Sequence, residues 1–571
     1  MLQQIKNRLR PFKAPKFCLD QATASRNGIT ITGWYASSKL RSISLVDQQR
    51  REVYSSIETH PREDVTAAYR MEATGFNIHC STLNDLSGLY ISFVSRRGSQ
   101  KLYPVTNEKS SGASLGIKKD PLKDAVKSKH HDSQGHVDFS LLGDDVLFVN
   151  GWLASKSAYT SADLLLSEKV IASTEKAIIW TRRTDVESAL KDKFSKSSCR
   201  GFLSSIKFPN TLSESEANKL TLRVNFVDHS IGLPIQSTQL LLENQKDSLI
   251  KALNGWNPLA AEHINGFTDV ISPILSKLYR HDSQVSCKRV DFGKQPAQPK
   301  STIIIPLYGR FDFLRYQISR FSRQKELRNH EILFVVDDPN IVEDVNALAG
   351  EVFEIFQFPF SVLSLEQNVG YGRANNIGVK HANSANLILL NSDIMPLTSH
   401  WADSLVSTLE SEEVGIVGTR LLFEDQSIQH DGMAPMRIKE YPGILFNDHP
   451  RKGVDLELAP ELPPTQECPL LTAACIALRK EDFEKVGGFE ADYILGDFED
   501  SDLCLKIIEI GKKNLIRRDL EIYHLERQSQ NLVEPGDWKH KLTIYNALVY
   551  NQKWTSQIFT HFPEFMQVKN S

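Results

Sequence analysis

Two textures of hydrophobic patterning divide the chain. Over residues 26 to 236 the apolar positions fall in short runs that alternate with polar ones and break at turn residues. Leu89-Tyr90-Ile91-Ser92-Phe93-Val94 and Leu222-Arg223-Val224-Asn225-Phe226-Val227 are examples. Alternation with period two predicts strands with one buried face, and many short strands between turns predict small β-sandwiches. From residue 301 the runs become continuous: Thr302-Ile303-Ile304-Ile305-Pro306, Glu331-Ile332-Leu333-Phe334-Val335-Val336 and Asn386-Leu387-Ile388-Leu389-Leu390. Helical periodicity lies between them. Strands alternating with helices predict parallel βαβ units and an open α/β sheet. Between the two textures, Leu240, Leu241, Leu249, Ile250 and Leu253, then Val270, Ile271, Ile274 and Leu278, have helical spacing, and Gly293 to Pro299 has linker composition. Residues 537 to 555 predict an amphipathic helix through Trp538, Leu542, Tyr545, Leu548, Val549 and Trp554, suited to packing on the last domain.

The β-rich half carries an internal repeat. Gly33-Trp34, Arg62 with Asp64, and Gly75-Phe76 recur in the same order as Gly151-Trp152, Arg183 with Asp185, and Gly201-Phe202. Recurrent signposts in the same order point to duplication. The Arg and Asp read best as a structural ion pair. Trp34 and Trp152 are candidate sugar platforms or core residues.

Composition narrows the classes. Of 571 residues, 41% are hydrophobic and 24% charged, with a net charge of -3, so there is no basic signature for nucleic acid. No apolar run is long enough to span a bilayer, and the start lacks a secretory apolar core. Its Lys6, Arg8, Arg10, Lys13 and Lys16 suit a frayed basic tail or peripheral contact with an anionic membrane. Seven scattered cysteines without a C-x-x-C pair argue against a zinc site or disulfide framework and for a reducing, cytoplasmic setting.

Open α/β sheets bind ligands at the carboxyl ends of their strands. Those ends read Pro306-Leu307-Tyr308, Asp337-Asp338 and Asn391-Ser392-Asp393, with a glycine-containing turn at Gly370-Tyr371-Gly372-Arg373. Acids there can grip ribose hydroxyls, and Asp393 is a hard oxygen ligand suited to Mg2+ or Mn2+. Further on, Asp497, Glu499, Asp500 and Asp502 put four carboxylates within six positions at the predicted entry to a helix, with Asp500 and Ser501 as candidate caps. Such crowding is either a solvated surface or a site for cations and proton transfer. Residues 424 to 467 form a long segment read as irregular, containing His430-Asp431-Gly432 and Asn447-Asp448-His449, which can shape an acceptor site.

These motifs together resemble family 2 glycosyltransferases of the GT-A fold, near the rhamnosyltransferase-like branch, over residues 301 to about 530. The resemblance rests on Ile304-Ile305-Pro306, Val336-Asp337-Asp338, Asn368-Val369-Gly370, Ala374-Asn375-Asn376, Leu390-Asn391-Ser392-Asp393, Thr472-Ala473-Ala474-Cys475, Val486-Gly487-Gly488-Phe489, Glu499-Asp500-Ser501-Asp502 and Tyr523-His524. The repeats resemble β-sandwich modules that accompany some bacterial glycosyltransferases. The implied organisation is a basic tail over 1–25, β-sandwich modules over 26–108 and 141–236 around a linker at 109–140, a helical connector over 237–299, and a GT-A domain over 300–571. The implied activity is inverting transfer from a UDP- or dTDP-sugar to a glycan or lipid-linked glycan, in bacterial surface polysaccharide synthesis. It would take place in the cytoplasm or at the inner face of the membrane. The implied roles place Asp500 as base with Glu499 as alternate. They place Pro306, Tyr308, Asp337, Asp338, Arg373, Asn376, Ser392 and Asp393 at the nucleotide sugar, and Asp393 with His524 at a divalent cation. Asn391 stands where that family's motif has an acid, which weakens the implied metal site. A catalytically silent GT-A shell is the competing reading.

Overall fold

The computed structural model describes all residues except 1–15, 26–27, 37–39, 47–55, 62–72, 81–88, 96–99, 106–125, 128–132, 210, 236–237, 242–244, 279–284, 526–536 and 564–571. The chain divides into two units, Met1–Asp120 and Pro121–Ser571. In the first, strands Lys16–Ser25, Gly28–Ala36, Ala73–Cys80 and Ser56–Pro61 form one sheet, and Leu40–Val46, Tyr90–Ser95 and Gln100–Pro104 a second. Ile29, Ile31, Phe76 and Ile78 of one bury against Leu45 and Ile91 of the other. The second unit opens with a matching pair of sheets. One runs Ile178–Thr181, Cys199–Lys207, Val146–Ser155, Ser133–Leu142, Thr238–Leu240, and the other Lys169–Thr174, Tyr159–Leu166, Leu220–Phe226, Ser230–Pro234. Leu147, Val149 and Leu153 meet Leu164, Leu222 and Val224 in their shared core.

The repeat reappears in strand register. Gly33 pairs with Phe76 and Trp34 with Gly75; Gly151 pairs with Phe202 and Trp152 with Gly201. The glycine has a steric reason in the second copy. A Cβ on Gly151 would lie 2.3 Å from the His136 carbonyl and 2.8 Å from the Phe202 ring. Trp152 is fully buried, so it is core and not a sugar platform. The Trp34 side chain, and Arg62 with Asp64, lie outside the described residues. Arg183 donates to Asp185 at 2.7 Å and also engages Asp138, a structural ion-pair group.

Several expected boundaries move. Residues 16–25 are a paired strand, not tail, and residues 126–127 and 133–140 are strands of the second module, not linker. Leu240 ends a strand that pairs parallel with Ser140–Leu142, although its apolar neighbours suggested helix. Cys287–Phe292, placed in the connector, is an edge strand of the last domain's sheet.

That sheet is mixed. In spatial order it runs Cys287–Phe292, Phe360–Leu365, Glu331–Val336, Thr302–Leu307, Asn386–Leu390, Cys475–Arg479, Val414–Leu422, Lys513–His524 and Ile394–Pro396. The four strands from Phe360–Leu365 to Asn386–Leu390 are parallel, and Cys475–Arg479 reverses the direction. Their continuous apolar composition follows from burial on both faces. Residues 424–467 are more ordered than their composition suggests. They contain strand Ile428–His430, the hairpin Ala434–Arg437 with Leu445–Asp448, and strand Thr465–Glu467.

Helix Asp537–His561 packs its Tyr545, Leu548, Trp554 and Ile558 into one core with Leu249, Trp256 and Phe267 of the connector. Lys541 Nζ donates to the carbonyls of Leu253 and Asn254, and Gln552 to Thr268 Oγ1. The connector therefore braces this helix from behind. Among the described residues no helix is long and apolar enough to cross a membrane.

Candidate active site

Because Thr302–Leu307, Glu331–Val336 and Asn386–Leu390 are parallel neighbours, their following residues emerge on one edge. Pro306 is half-buried in its strand, and Tyr308 beyond it is 46% exposed. Asp337 is buried and accepts the backbone N–H groups of Val369 at 2.7 Å and Gly370 at 2.9 Å. It thus anchors the turn that opens helix Tyr371–Lys380, where Gly370 has φ +83°. Burial pushes its carboxyl up to about 7, against those two N–H groups. Asp338 is more open and caps the next turn through Asn340 N–H. Burial, then Asp338 and Asp337, raise the Tyr308 phenol above its ordinary value. Tyr308 and Asp338 are therefore the open groups at this end.

Arg373 lines a small pocket with Gly370, Glu490 and Glu499, and its charge favours ionised Asp337. Asn376 departs from its expected place beside a phosphate. Its Nδ2 donates to the Phe489 carbonyl at 2.8 Å and its Oδ1 accepts the Phe489 N–H at 3.0 Å, so both ends of the amide clamp the Gly488-Phe489 turn. A helix residue that close to a tight turn is consumed by it.

Ser392 and Asp393 are buried at the end of Asn386–Leu390. Asp393 Oδ1 lies 3.3 Å from Nε2 of His524, brought there by pairing of Ile394 with His524. Gln429 sets the tautomer. Its Nε2 donates to the His524 carbonyl at 3.2 Å, so its Oε1 is turned to accept from His524 Nδ1 at 2.6 Å. A neutral His524 then presents the Nε2 lone pair towards a carboxylate oxygen, an arrangement that invites a proton or a cation between them. Asn391 Oδ1 is buried with no hydrogen-bond partner among the described residues. Two oxygen donors and an imidazole nitrogen fit a divalent cation. Among the described residues no group of three or more His, Cys, Asp or Glu side chains is arranged as a complete metal cage.

The acidic cluster enters its helix differently from expectation. Helix Glu499–Glu509 begins two residues earlier than a cap at Asp500 would set, behind Phe498 in left-handed conformation, and neither Asp500 nor Ser501 is its cap. Asp500 accepts the N–H of Ser501 at 2.7 Å. Burial pushes its carboxyl up to about 6, opposed by that bond and helped by Asp497. Burial, then Asp500 and Asp497, push Glu499 well above its usual range, and its Oε2 is buried with no partner among the described residues. Asp502 is structural. It is fully buried and accepts from Trp554 Nε1 and Lys553 at 2.7 Å and pairs with Lys506 at 2.8 Å. Asp497 accepts the Thr543 hydroxyl at 2.8 Å, and Asn546 bonds to Ile494 and Gly496. Helix Asp537–His561 therefore holds the loop that carries the acids.

Asn391, Glu499 and Asp500 all line one cleft of about 400 Å³, with Tyr371, Met433, Phe446, Asn447, His449 and Thr543 among its walls. Patterning did not single out Tyr371, Gln429, Asn447, His449 or Thr543 as site residues. The only signal for His449 was its place in the segment read as irregular. That segment is pinned by Asp431, fully buried as a side chain, which engages Arg518 at 2.6 Å, Arg451 at 2.8 Å and Arg420 at 3.3 Å.

Residues 302–487 match the family described as Glycosyl transferase family 2. An uncharacterized protein of Sinorhizobium fredii, y4gI, is 28% identical over 239 residues, 41% of this chain and 25% of that protein. The O-antigen biosynthesis protein RfbC of Myxococcus xanthus is 28% identical over 237 residues, 41% of this chain and 18% of that protein. The chain thus spans a quarter or less of the length of these relatives. Among solved structures, GalNAc-T7 with UDP, GalNAc and Mn2+ aligns at 15% identity and TM-score 0.34, covering 47% of this chain and 58% of that one. The mannosyltransferase PcManGT of Pyrobaculum calidifontis with GDP-Man and Mn2+ aligns at 13% and TM-score 0.29, covering 52% and 81%. Likenesses this low add no argument about the present chain.

Proposed function

Proceeding from the glycosyl transferase family 2 domain that residues 302–487 carry, we propose an inverting sugar transfer. The donor is a nucleotide-diphosphate sugar, and the acceptor is a hydroxyl of a glycan or lipid-linked glycan. The observation that carries this reading is that Asp500 and Asn391 line the same cleft, two residues from the Asp393–His524 pair. One cavity thereby offers a base and a place for a leaving diphosphate.

In this reading the acceptor O–H gives its proton to Asp500 as its oxygen bonds to the anomeric carbon. The bond from that carbon to the phosphate oxygen breaks on the opposite face, and the nucleoside diphosphate departs. Asp500 suits the base role because its carboxyl is raised only to about 6 and remains largely ionised at neutral pH. Glu499, pushed well above its usual range by burial and by Asp500 and Asp497, stands beside it as the alternate acid of the cleft. Tyr308 and Asp338 flank the nucleotide, with Pro306 and Ser392 beneath it and Arg373 near its phosphates. Asp393, His524 and Asn391 would hold a divalent cation, whose chemistry is to neutralise charge on the departing diphosphate. We place the donor among UDP- and dTDP-sugars and the reaction in the cytoplasm. The name of the Myxococcus relative favours surface polysaccharide as the product.

A panel of nucleotide sugars with and without Mn2+, assayed for nucleoside diphosphate release, tests the proposal. Release by the wild type and its loss in Asp500→Asn are expected. The second reading, a silent shell, is favoured by Asn391 alone. Tight nucleotide-sugar binding without release across the panel would establish it.

A further inference from the structure

The hairpin Ala434–Arg437 with Leu445–Asp448 reaches Asp500 through two side chains. Asn447 Nδ2 donates to Ser501 Oγ at 2.7 Å. Ser501 is fully buried in the first turn of helix Glu499–Glu509, and both of its donors turn to one oxygen. Its N–H reaches Asp500 Oδ1 at 2.7 Å, and its hydroxyl reaches the same atom at 3.3 Å. An ionised carboxyl only accepts, so the Ser501 hydroxyl donates to it and takes its own hydrogen bond from Asn447. That order fixes which end of the Asn447 amide faces Ser501.

The relay is anchored from behind. Asn551 of helix Asp537–His561 holds Leu445 by both its N–H and its carbonyl, at 2.8 Å each. The Phe446 ring lies against Phe498, with centroids 6.3 Å apart. The strand that carries Asn447 is thereby tied to the two elements that flank the acids. Asn447 and Asp500 line the same cleft. Nearby asparagines serve the backbone, since Asn376, Asn546 and Asn551 each spend both ends of the amide on main-chain groups. Asn447 instead spends its nitrogen on the side chain that holds Asp500, and its Oδ1 is buried with no hydrogen-bond partner among the described residues. Leaving that oxygen unpaired costs stability, and a cost of this kind calls for a role that the paired nitrogen performs.

A carboxyl turns readily about its last torsion unless something holds it. Against burial, which pushes the Asp500 carboxyl up, the Ser501 N–H and hydroxyl are the two strongest influences for the ionised form, ahead of the Ala473 N–H. A base works only within hydrogen-bond reach of the proton it takes, so the rotation of its carboxyl is felt in the rate. We propose that Asn447 is the positioning residue of the base: through the Ser501 hydroxyl it holds the Asp500 carboxyl in one rotation, with Oδ1 tied down and Oδ2 left to meet the acceptor hydroxyl. This role presupposes the transferase reading above and adds to it the element that aims the base.

The test uses the full chain, the nucleotide sugar that the wild type turns over, and nucleoside diphosphate release with water or a methyl hexoside as acceptor. Asn447→Leu is expected to lower kcat about tenfold, as for one lost hydrogen bond, with the donor KM within about twofold and the thermal midpoint not lowered. Ser501→Ala should show the same split between kcat and KM. The double variant should be no slower than the slower single variant, because both substitutions break one relay. An unchanged kcat in folded Asn447→Leu, losses that multiply in the double variant, or a rate loss that follows a lowered thermal midpoint in every variant would overturn the assignment and leave the transferase reading in place. A wild type with no donor turnover across the nucleotide-sugar panel would overturn the transferase reading and the assignment with it.

Discussion

One carboxylate site lies two residues beyond Asn391 of the cleft and the other lines the cleft, and they are built in opposite ways. Asp393 sits at a strand end, with one imidazole 3.3 Å from its oxygen. Glu499 and Asp500 sit at a helix entry, where burial and their own neighbours push both carboxyls up. The first site is assembled by a local offset of two residues plus one strand pairing. The second depends on a distant helix that grips its loop through Thr543 and Asn546 and its neighbour Asp502 through Lys553 and Trp554. Local geometry gives an acid beside an imidazole, and long-range packing gives buried acids whose carboxyls are pushed up. A reaction that needs charge neutralisation at one end and proton acceptance at the other has use for both.

The largest expected effect separates the sites by role. Asp500→Asn should lower kcat by about 10²–10⁴-fold, the range for a lost general base, with KM for the donor little changed. Glu499→Gln keeps the size of the side chain and should cost far less. Equal losses in steady-state kinetics would erase the distinction between the two acids. At the strand-end site, Asp393→Ala and His524→Ala should each weaken Mn2+ activation by about 10–100-fold in a metal titration, and Gln429→Leu should act in the same direction but less. An indifferent Gln429→Leu would show that the tautomer of His524 does not matter.

The support of the second site can be broken on its own. Asp502→Ala leaves Lys506 and Lys553 only the longer pairing with Glu490, at 3.7 and 3.6 Å, and leaves the buried Trp554 Nε1 without its acceptor; it should cost up to about 3–5 kcal/mol in denaturant unfolding. The smallest effect concerns pH. Asp500 and Glu499 hold protons more tightly folded than unfolded. Their contribution to stability is fully present below about pH 4 and is lost as pH rises through about 6 for Asp500 and through the raised folded value for Glu499. Glu499→Gln should therefore raise the thermal midpoint relative to wild type by a few degrees at pH 8 and by less at pH 5. The opposite ordering would show that the pair is compensated.

The contrast also explains what could be read from the chain. Buried parallel strands announce themselves as apolar blocks, so Asp337, Asp338 and Asp393 were placed at strand ends from their position alone. The duplicated module was visible because Gly151 must clear the Phe202 ring, a constraint that leaves a glycine and an aromatic at fixed places. Asn376 was misjudged because an amide that clamps a turn 113 residues away looks the same as one that meets a phosphate. Strand 16–25 was read as tail because polar residues interrupt its alternation. His449 was missed as a site residue because its partner, His430, lies across a segment whose glycines and prolines read as irregular. Order there comes from Asp431 and its three arginines, and such contacts have no signature in local sequence.

The most direct measurement is nucleoside diphosphate release from a nucleotide-sugar panel by the wild type and by Asp500→Asn, followed from pH 5 to pH 8. Release by the wild type should fall on the acid side as Asp500 takes up its proton near pH 6, and the variant should lose both the activity and that limb. Undiminished release by Asp500→Asn with the same acid limb would contradict the assignment of the base, and no release by the wild type with any donor would contradict the enzyme itself.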